Sequence, residues 1–248
     1  MKTEEKVAKK KYDFMAQDYH EMRTKKYPNG WFFNEMLEMP MVLEMLGKVN
    51  NKKILDLGCG TGIYAKILTQ KGAKVKGFDI SPGMIEIAKR ENPKLDLRVG
   101  SAYNIPFKEK FDVVLGSLVI HYMDNLDKVF EEVKRVLKTG GVFIFSTGNP
   151  VYEVSERLVI KDKRYKLFGD YFSERKIWNS WSVRGKELKV FAYHKTYETI
   201  IRTILKNGFE IIDYKDAFPL KKAKKFFPWF YNEYSKYPFF CAWGVKKK

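Results

Sequence analysis

The chain has 248 residues, of which 45% are hydrophobic, and a formal net charge of +17. This length predicts one α/β domain with an insertion, and the apolar content suffices for a full core. Because the chain has no apolar run long enough to span a membrane, a charged N-terminus unlike a signal peptide, and only Cys59 and Cys241 as cysteines, we expect a cytoplasmic protein without a disulfide framework.

Two helices are predicted ahead of the first strand. Residues 2–24 carry Tyr12 and Tyr19 on one apolar helical face, and residues 33–46 form the second helix, which Pro40 is expected to break or kink. We expect residues 1–50 to form a helical cap over a ligand. Either Tyr12 and Tyr19 close that pocket or they pack in the core.

A strand, a tight turn and a helix follow. The apolar run from Ile54 to Leu57 predicts a buried strand over 53–58, and a helix is predicted over 63–71. Between them stand three glycines at alternate positions: Gly58, Gly60 and Gly62. A strand–turn–helix of this kind presents its backbone to a nucleotide-type ligand. The second strand ends in Asp79, at the spacing that a ribose-binding acid requires.

Two features of this turn disfavour NAD. The glycine spacing lacks the third glycine of the dinucleotide fingerprint. Asp56 stands just ahead of the turn, where it would repel a pyrophosphate and attract an ammonium group. S-adenosylmethionine (SAM) carries an ammonium, a sulfonium and a ribose but no phosphate, so the sequence favours SAM.

Helices and strands alternate through the rest of the core. Ser81-Pro82 is typical of a capped helix start, and Gly140-Gly141 indicates a tight turn into the fifth strand. The predicted elements are strand 73–79, helix 83–91, strand 95–100, strand 111–117, helix 126–137 and strand 141–147.

Five segments within residues 12–147 together resemble the motifs of the class I SAM-dependent methyltransferases. They are Asp56-Leu-Gly-Cys-Gly-Thr-Gly62, Gly77-Phe-Asp-Ile-Ser81, Gly100-Ser-Ala-Tyr-Asn-Ile-Pro-Phe107, Phe111-Asp-Val-Val-Leu-Gly-Ser-Leu-Val-Ile-His-Tyr122 and Val136-Leu-Lys-Thr-Gly-Gly-Val-Phe-Ile-Phe145. The resemblance implies a Rossmann-like, seven-stranded, mostly parallel sheet with helices on both faces, an antiparallel last strand, N-terminal helices and an inserted lid after strand five. It also implies a single domain with a SAM-binding core over 51–147, SAM as cofactor and S-adenosylhomocysteine as product.

The second half departs from this alternation. Residues 148–195 form an aromatic, charged segment too long for an ordinary loop, which we expect to be a substrate lid together with the basic, aromatic segment 219–237. Residues 196–248 complete the sheet with helix 196–207, strand 209–214 and strand 239–245. Three motifs of this half resemble a subgroup of small-molecule methyltransferases: Ser146-Thr-Gly-Asn-Pro150, His194-Lys-Thr196 and Pro238-Phe-Phe240.

The positive charge is concentrated in this half, with +11 on residues 151–248 and +6 on residues 1–150. Such an excess fits an anionic substrate, nucleic acid, or lysine-rich helix faces in solvent. Most of the cations are lysines, which lack arginine's planar fork for bidentate phosphate contacts. We therefore expect solvated faces and only weak, nonspecific binding of nucleic acid.

The resemblance implies the contacts of the cofactor. The backbone of Gly58, Cys59 and Gly60 would line the methionine part, Asp56 would favour its amino group, and Asp79 would accept hydrogen bonds from both ribose hydroxyls. The remaining contacts are Ile80 and Met84 around adenine, Ser101 and Ala102 at the adenine edge, Ser117 and Leu118 facing the sulfonium, and Tyr19 over the pocket. The family commonly has aspartate, not serine, at the position of Ser101, where it accepts from the adenine amine.

Methyl transfer requires alignment and exclusion of water, and an oxygen or thiol nucleophile also needs a base. His121, just past strand four, and His194, before helix 196–207, are the candidate catalytic residues. A satisfied buried histidine and a helix cap are the respective structural alternatives. Tyr171, Trp178 and Trp181 are expected to form an aromatic wall for a planar or cationic acceptor, or else to pack the insertion.

The sequence favours transfer of a methyl group to a small-molecule acceptor, aromatic or anionic, by in-line displacement. No metal-ligand spacing is present. An RNA or DNA methyltransferase and a SAM-binding protein without catalysis are the alternatives. Amino-methylating DNA enzymes have an Asn-Pro-Pro-aromatic motif after strand four, where this chain has Gly116-Ser-Leu-Val119. The acceptor atom and the oligomeric state are left open.

Overall fold

The computed structural model describes the backbone of residues 3–160, 163–183 and 186–248. Side chains are described for these residues except 3, 29, 157–160, 163–167, 181–183, 186 and 188. Among the described residues, no helix has the length and apolar character required to cross a bilayer.

Seven strands form one sheet in the order β10-β11-β5-β4-β1-β2-β3, and two further hairpins pair β6 with β7 and β8 with β9. The strands are β1 (Lys53–Leu57), β2 (Lys74–Asp79), β3 (Asp96–Val99), β4 (Phe111–Gly116), β5 (Leu137–Gly148), β6 (Ser155–Ile160), β7 (Lys163–Phe168), β8 (Lys176–Val183), β9 (Lys186–Tyr193), β10 (Phe209–Asp216) and β11 (Phe240–Lys247). Strand β11 is antiparallel to both neighbours, whereas β1 to β5 run parallel. The predicted fold class is confirmed.

Helices cover both faces of this sheet. They are α1 (Thr3–Thr24), α2 (Pro28–Trp31), α3 (Met39–Leu46), α4 (Ile63–Gln70), α5 (Pro82–Glu91), α6 (Leu126–Val136), α7 (Pro150–Glu153), α8 (Tyr197–Lys206), α9 (Ala223–Phe226) and α10 (Pro228–Tyr234). One apolar cluster joins α6 and α8 to the sheet through residues such as Phe130 and Ile204, and a second joins α3 and α4 through Val42 and Leu68. Burial of both sheet faces explains the apolar runs of the central strands.

The second predicted helix is less regular than expected. A π-helix, Phe32–Glu38, connects α2 to α3. Pro40 has no N–H group and so cannot bond the carbonyl of Met36 four residues earlier. The backbone N–H of Leu220 donates to that carbonyl instead, at 2.9 Å. The interruption therefore anchors the segment before α9 to the N-terminal helices.

Strand β5 and the segment after it also differ from prediction. Strand β5 begins at Leu137, not at 141, because its pairing with β4 shifts register and absorbs Gly140, which has a φ of +71°. The segment 148–195, for which no strands are predicted, contains α7 and both hairpins.

Candidate functional site

A cavity of about 610 Å³ lies at the carboxyl ends of β1, β2, β4 and β5. Helix α1 contributes Tyr12 and Tyr19 to its wall, and the β8–β9 hairpin contributes Ile177 and Phe191. This is the edge at which open α/β sheets bind ligands. The predicted cap and part of the predicted lid therefore meet over one cavity.

The backbone N–H groups of the glycine turn are already hydrogen-bonded within the protein. The N–H groups of Gly58 and Cys59 both donate to the carbonyl of Phe78 at 2.9 Å, and that of Gly60 donates to Asp79 Oδ2 at 2.9 Å. A phosphate needs free N–H donors at such a turn. A turn whose donors are satisfied suits a cationic ligand instead.

Both the backbone conformation of Gly58 and the space around it require glycine at this position. Its φ is +69°, and a Cβ there would lie 2.5 Å from a methyl carbon of Val119. No side chain can occupy that position without displacing the segment after β4. The turn and the end of β4 are therefore packed directly on each other.

Two carboxyl groups stand beside the turn. Asp56 is 1% exposed, and its Oδ2 atom has no hydrogen-bond partner among the described residues. Burial, with the nearby charge of Asp79, raises the pKa of Asp56 to about 7. Burial also raises the pKa of Asp79 to about 6, although the N–H groups of Ser81 and Gly60 favour its charged form. An ammonium group would relieve this buried negative charge.

Helix α1 is tied down over the site by polar contacts. Asp13 accepts hydrogen bonds from Ser81 Oγ at 2.6 Å and Gly83 N at 3.0 Å. The phenol oxygens of Tyr12 and Tyr122 lie 2.6 Å apart, which joins α1 to the segment after β4. These contacts join α1 to the segment after β2 and to the segment after β4, so they fix the helix beside the cavity.

The positively charged side chain of Arg23 also lines the cavity, beside Tyr19. Arg23 Nε donates to Glu35 Oε1 at 2.9 Å, and Arg23 Nη1 lies 3.4 Å from the phenol oxygen of Tyr19. The Arg23 side chain is 8% exposed. A guanidinium held in this way can accept a carboxylate ligand as a second partner.

The end of β4 is held by a buried acid. Glu38 is fully buried and accepts from Ser117 Oγ and Tyr64 Oη, both at 2.8 Å, and from Ser146 Oγ. Ser146 Oγ in turn accepts from the N–H of Leu118 at 2.9 Å. Leu118 has a φ of +47°, a conformation that costs a leucine energy and commonly occurs at functional sites.

His121 lines the cavity just past this point. Burial lowers the pKa of His121 to about 4, and its Nδ1 atom has no hydrogen-bond partner among the described residues. The imidazole is therefore neutral near pH 7 and can accept or donate one hydrogen bond through that nitrogen. It does not carry the second proton of the charged imidazolium at that pH.

His194 is not brought to the cavity. Its ring is fully buried, Nε2 lies 2.8 Å from the carbonyl oxygen of Tyr171, and Nδ1 lies 3.4 Å from Glu153 Oε2. Burial favours the neutral imidazole, but these two partners outweigh it and raise the pKa of His194. Glu153, not His194, lines the cavity, so His194 lies behind that carboxyl group.

Tyr171 and Trp178 of the insertion also lie outside the wall of this cavity. The hydroxyl of Tyr171 accepts from the N–H of Tyr197 at 2.8 Å and so caps α8. Trp178 is 55% exposed and contacts Lys11 and Lys176. Side chains alternate along a strand, so Ile177 faces inward where Trp178 faces out. The side chain of Trp181 lies outside the described residues.

Several expected cofactor contacts do line the cavity together. This set consists of Tyr19, Asp56, Gly58, Cys59, Gly60, Asp79, Ile80, Met84, Ala102, Ser117 and Leu118. Ser101 is the exception, because its hydroxyl points to Glu5 of helix α1.

The other end of the cavity has walls that sequence patterns do not reveal. Rings from four separate segments meet there: Phe33, Tyr152, Phe230, Tyr234, Phe239 and Phe240. The ring centroids of Phe33 and Phe239 are 4.9 Å apart, as are those of Tyr152 and Phe239. Glu153 belongs to this end, because a Cβ on Gly148 at the end of β5 would lie 2.1 Å from its carboxylate.

The cavity fits SAM on these observations. The satisfied glycine turn and the Oδ2 atom of Asp56, which has no partner among the described residues, suit the ammonium group. Arg23 suits the carboxylate, and Asp79 suits the ribose. Within the part of the chain that the structure describes, no group of three or more potential metal ligands is found.

Comparison with known proteins agrees with this fit. The family model of the methyltransferase domain matches residues 55–145. The chain is 30% identical in sequence to a candidate SAM-dependent methyltransferase of Listeria monocytogenes, whose crystal structure superposes with a TM-score of 0.72 over 85% of this chain and 96% of that one.

Two curated proteins are also similar. An uncharacterised protein of Haemophilus influenzae is 30% identical over 78% of this chain and 81% of its own length. A malonyl-[acyl-carrier protein] O-methyltransferase of Serratia marcescens is 31% identical, over only 39% of this chain and 38% of its own length.

Proposed function

The chain belongs to the SAM-dependent methyltransferases, and from that premise we propose that it methylates a small, aromatic acceptor. The observation that carries this proposal is the continuity of the cavity, which runs from the glycine turn into a chamber walled by aromatic rings. We name the end beside β1, β2 and β3 the cofactor half, and the end beside β4 and β5, with Phe33, Phe230 and Phe239, the acceptor half.

In the cofactor half, four groups would hold SAM. Asp56 would bind the ammonium group, Arg23 with Tyr19 the carboxylate, and Asp79 the ribose. Apolar contact from Ile80 and Met84 would hold the adenine. When bound, SAM supplies a methyl group on a positively charged sulfur that leaves as a neutral thioether. The surrounding residues then need only align the acceptor and exclude water.

In the acceptor half, Glu153 would remove the proton of a hydroxyl, thiol or amine acceptor. Its carboxyl group lines the cavity, and burial raises its pKa, with the His194 contact opposing that rise. A raised pKa brings a carboxylate closer to the range in which a general base works well. The neutral His121 would orient the acceptor by a hydrogen bond.

The lining favours an aromatic over an anionic acceptor. None of the lysines in the described part of the chain lines the cavity, and Arg23, which does line it, would bind the carboxylate of SAM. Aromatic faces bind planar rings and cations, and a carboxylate such as Glu153 disfavours an anion. The lysine-rich faces would remain in solvent.

A methyl-transfer screen tests this proposal. The purified protein is incubated with SAM and fractionated small-molecule extracts, and products are searched for the mass gain of one methyl group. The control is Phe239→Ala, which opens the acceptor half and leaves the glycine turn unchanged. A methylated aromatic product that is lost in the control supports the proposal. Methylated RNA or DNA with no small-molecule product would contradict it.

A further inference from the structure

The far end of the cofactor half contains an acidic side chain that no motif accounts for. Strand β3 pairs Val99 with Asp79, and the N–H of Gly100 donates to the carbonyl of Asp79 at 2.9 Å. Gly100 and Ala102 line the cavity beside the proposed ribose site, but the side chain of Ser101 between them does not. Any ligand group that extends past Asp79 therefore meets this stretch of backbone.

Glu5 lies against residues 100–102, where it contacts Ser101. It lines the cavity and is only 9% exposed, although it belongs to the first turns of α1. The hydroxyl of Ser101 donates a hydrogen bond to Glu5 Oε1, and Ser101 Oγ itself accepts from the N–H of Tyr103 at 3.0 Å. Since the N–H of Tyr103 occupies the acceptor side of that hydroxyl, its proton is directed to Glu5.

The sheet order separates Glu5 from the other acids of the cavity. Four carboxyl groups line the cavity in the described part of the chain: Glu5, Asp56, Asp79 and Glu153. Because the strands run in the order β5-β4-β1-β2-β3, Glu153 after β5 and Glu5 beside β3 lie at opposite ends. Asp56 and Asp79, which end β1 and β2, lie between them.

We propose that the carboxylate of Glu5 recognises the adenine of SAM by accepting a hydrogen bond from its exocyclic amine, with Ser101 as a positioning residue. This inference rests on the proposed placement of SAM, in which adenine lies past Asp79. A carboxylate offers about four lone-pair sites on its two oxygens, so Glu5 can accept from an amine in addition to Ser101 and its other contacts. Selectivity for the base would then reside in the N-terminal helix.

The proposed hydrogen bond would distinguish adenine from a base that lacks the exocyclic amine. A buried site that accepts from an amine strongly rejects an analogue that lacks it, because the site's polar group is then left unpaired. Replacing adenine by hypoxanthine exchanges the amine for a carbonyl oxygen, which would face the Glu5 carboxylate. The wild-type protein should therefore reject the hypoxanthine analogue of S-adenosylhomocysteine.

Calorimetry with S-adenosylhomocysteine and with its hypoxanthine analogue tests the proposal. Glu5→Ala is expected to weaken binding of S-adenosylhomocysteine by about ten- to a hundredfold, the scale of a hydrogen bond to a charged group. It should also abolish discrimination against the analogue. Glu5→Gln should have a smaller effect in both respects. Glu4→Gln, which removes only the outward ion pair of Glu4 with Lys176, is the matched control and should bind as the wild type does.

A second variant separates recognition from folding. Ser101→Asp placed in the Glu5→Ala background supplies a carboxylate from the other side of the same contact. It should restore both affinity and discrimination. Unchanged affinity and discrimination in Glu5→Ala would overturn the proposal for Glu5 while leaving the proposed methyl transfer intact. No binding of S-adenosylhomocysteine by the wild type would overturn both.

Discussion

The two halves of the cavity are assembled from different kinds of chain segment. The cofactor half is formed mainly by two consecutive strand–turn–helix units and the strand β3 that follows them, so its residues are close in sequence and follow buried strands. The acceptor half is formed by the π-helix, α7, the β8–β9 hairpin, α10 and the start of β11. Its wall exists only after segments two hundred residues apart in sequence have packed together, as Phe33 and Phe239 do.

This difference predicts that the two halves can be damaged separately. A residue of the cofactor half should change SAM affinity, whereas a residue of the acceptor half should change turnover or acceptor affinity alone. A substitution in one half that changes the property assigned to the other half would contradict this separation.

The largest effect is expected from Glu153→Gln, which keeps the shape of the side chain and removes the base. Turnover should fall about a hundred- to ten-thousandfold for an acceptor that must lose a proton, while calorimetric affinity for S-adenosylhomocysteine stays within about threefold. In the wild type, turnover should fall as the pH drops through the raised pKa of Glu153, because the protonated acid cannot act as a base.

His194→Ala refines this result. Loss of its contact with Glu153 removes an interaction that favours the charged carboxylate. The pH at which turnover is half maximal should therefore move upward, and turnover at high pH should recover in part. A loss of turnover that is the same at every pH would show that His194 acts only on folding.

The next effect is on the cofactor half. Asp79→Ala should weaken binding of S-adenosylhomocysteine by about 1.5–3 kcal/mol, because it removes a hydrogen-bond acceptor that is also charged. The loss also releases the N–H groups of Gly60 and Ser81. Asp96→Ala, at an outward ion pair with Arg98, is the control. Wild-type affinity in Asp79→Ala would remove this residue from the site.

The cofactor half was predictable because its features are local. A buried strand, closely spaced glycines and a strand-ending acid can each be interpreted from the local sequence, without knowledge of the rest of the fold. Asp56, Asp79 and the residues after them therefore lie where the sequence predicted, on the cavity wall.

The acceptor half was not predictable for the same reason. Trp178 and Tyr171 look like pocket residues by type, but strand alternation turns one outward and a helix cap uses the other. Glu153 carries no motif, and its role depends on the approach of His194, forty-one residues later. Arg23 and Glu5 are likewise visible only once α1 lies over the sheet. In the sequence, only their position as charged residues on the apolar face of that helix could have indicated that they line the cavity.

A smaller effect concerns pH and the cofactor. With a pKa of about 7 for Asp56, the unliganded protein is partly protonated there near neutrality. An ammonium ligand binds the ionised form, so binding should release a proton and weaken by about tenfold between about pH 8 and pH 6. Calorimetry in buffers of different ionisation enthalpy measures the released proton. Asp56→Asn should bind more weakly at high pH and show little further change, and an equally steep pH dependence in that variant would assign the effect to another group.

The smallest effect separates two neighbours on one strand. Ile177 faces the cavity and Trp178 faces solvent. By residue type alone, the aromatic Trp178 would be the stronger candidate for the acceptor wall. Ile177→Ala removes apolar contact worth about 0.8 kcal/mol for each methylene-sized group that touches the acceptor, so kcat/KM for an aromatic acceptor should fall by about fourfold for each such group. Trp178→Ala should stay within about twofold of the wild type. Both variants should bind S-adenosylhomocysteine normally, since the hairpin belongs to the acceptor half. A larger loss in Trp178→Ala than in Ile177→Ala would mean that the hairpin presents its other face to the acceptor, and that the wall described for the acceptor half is not the one used in turnover.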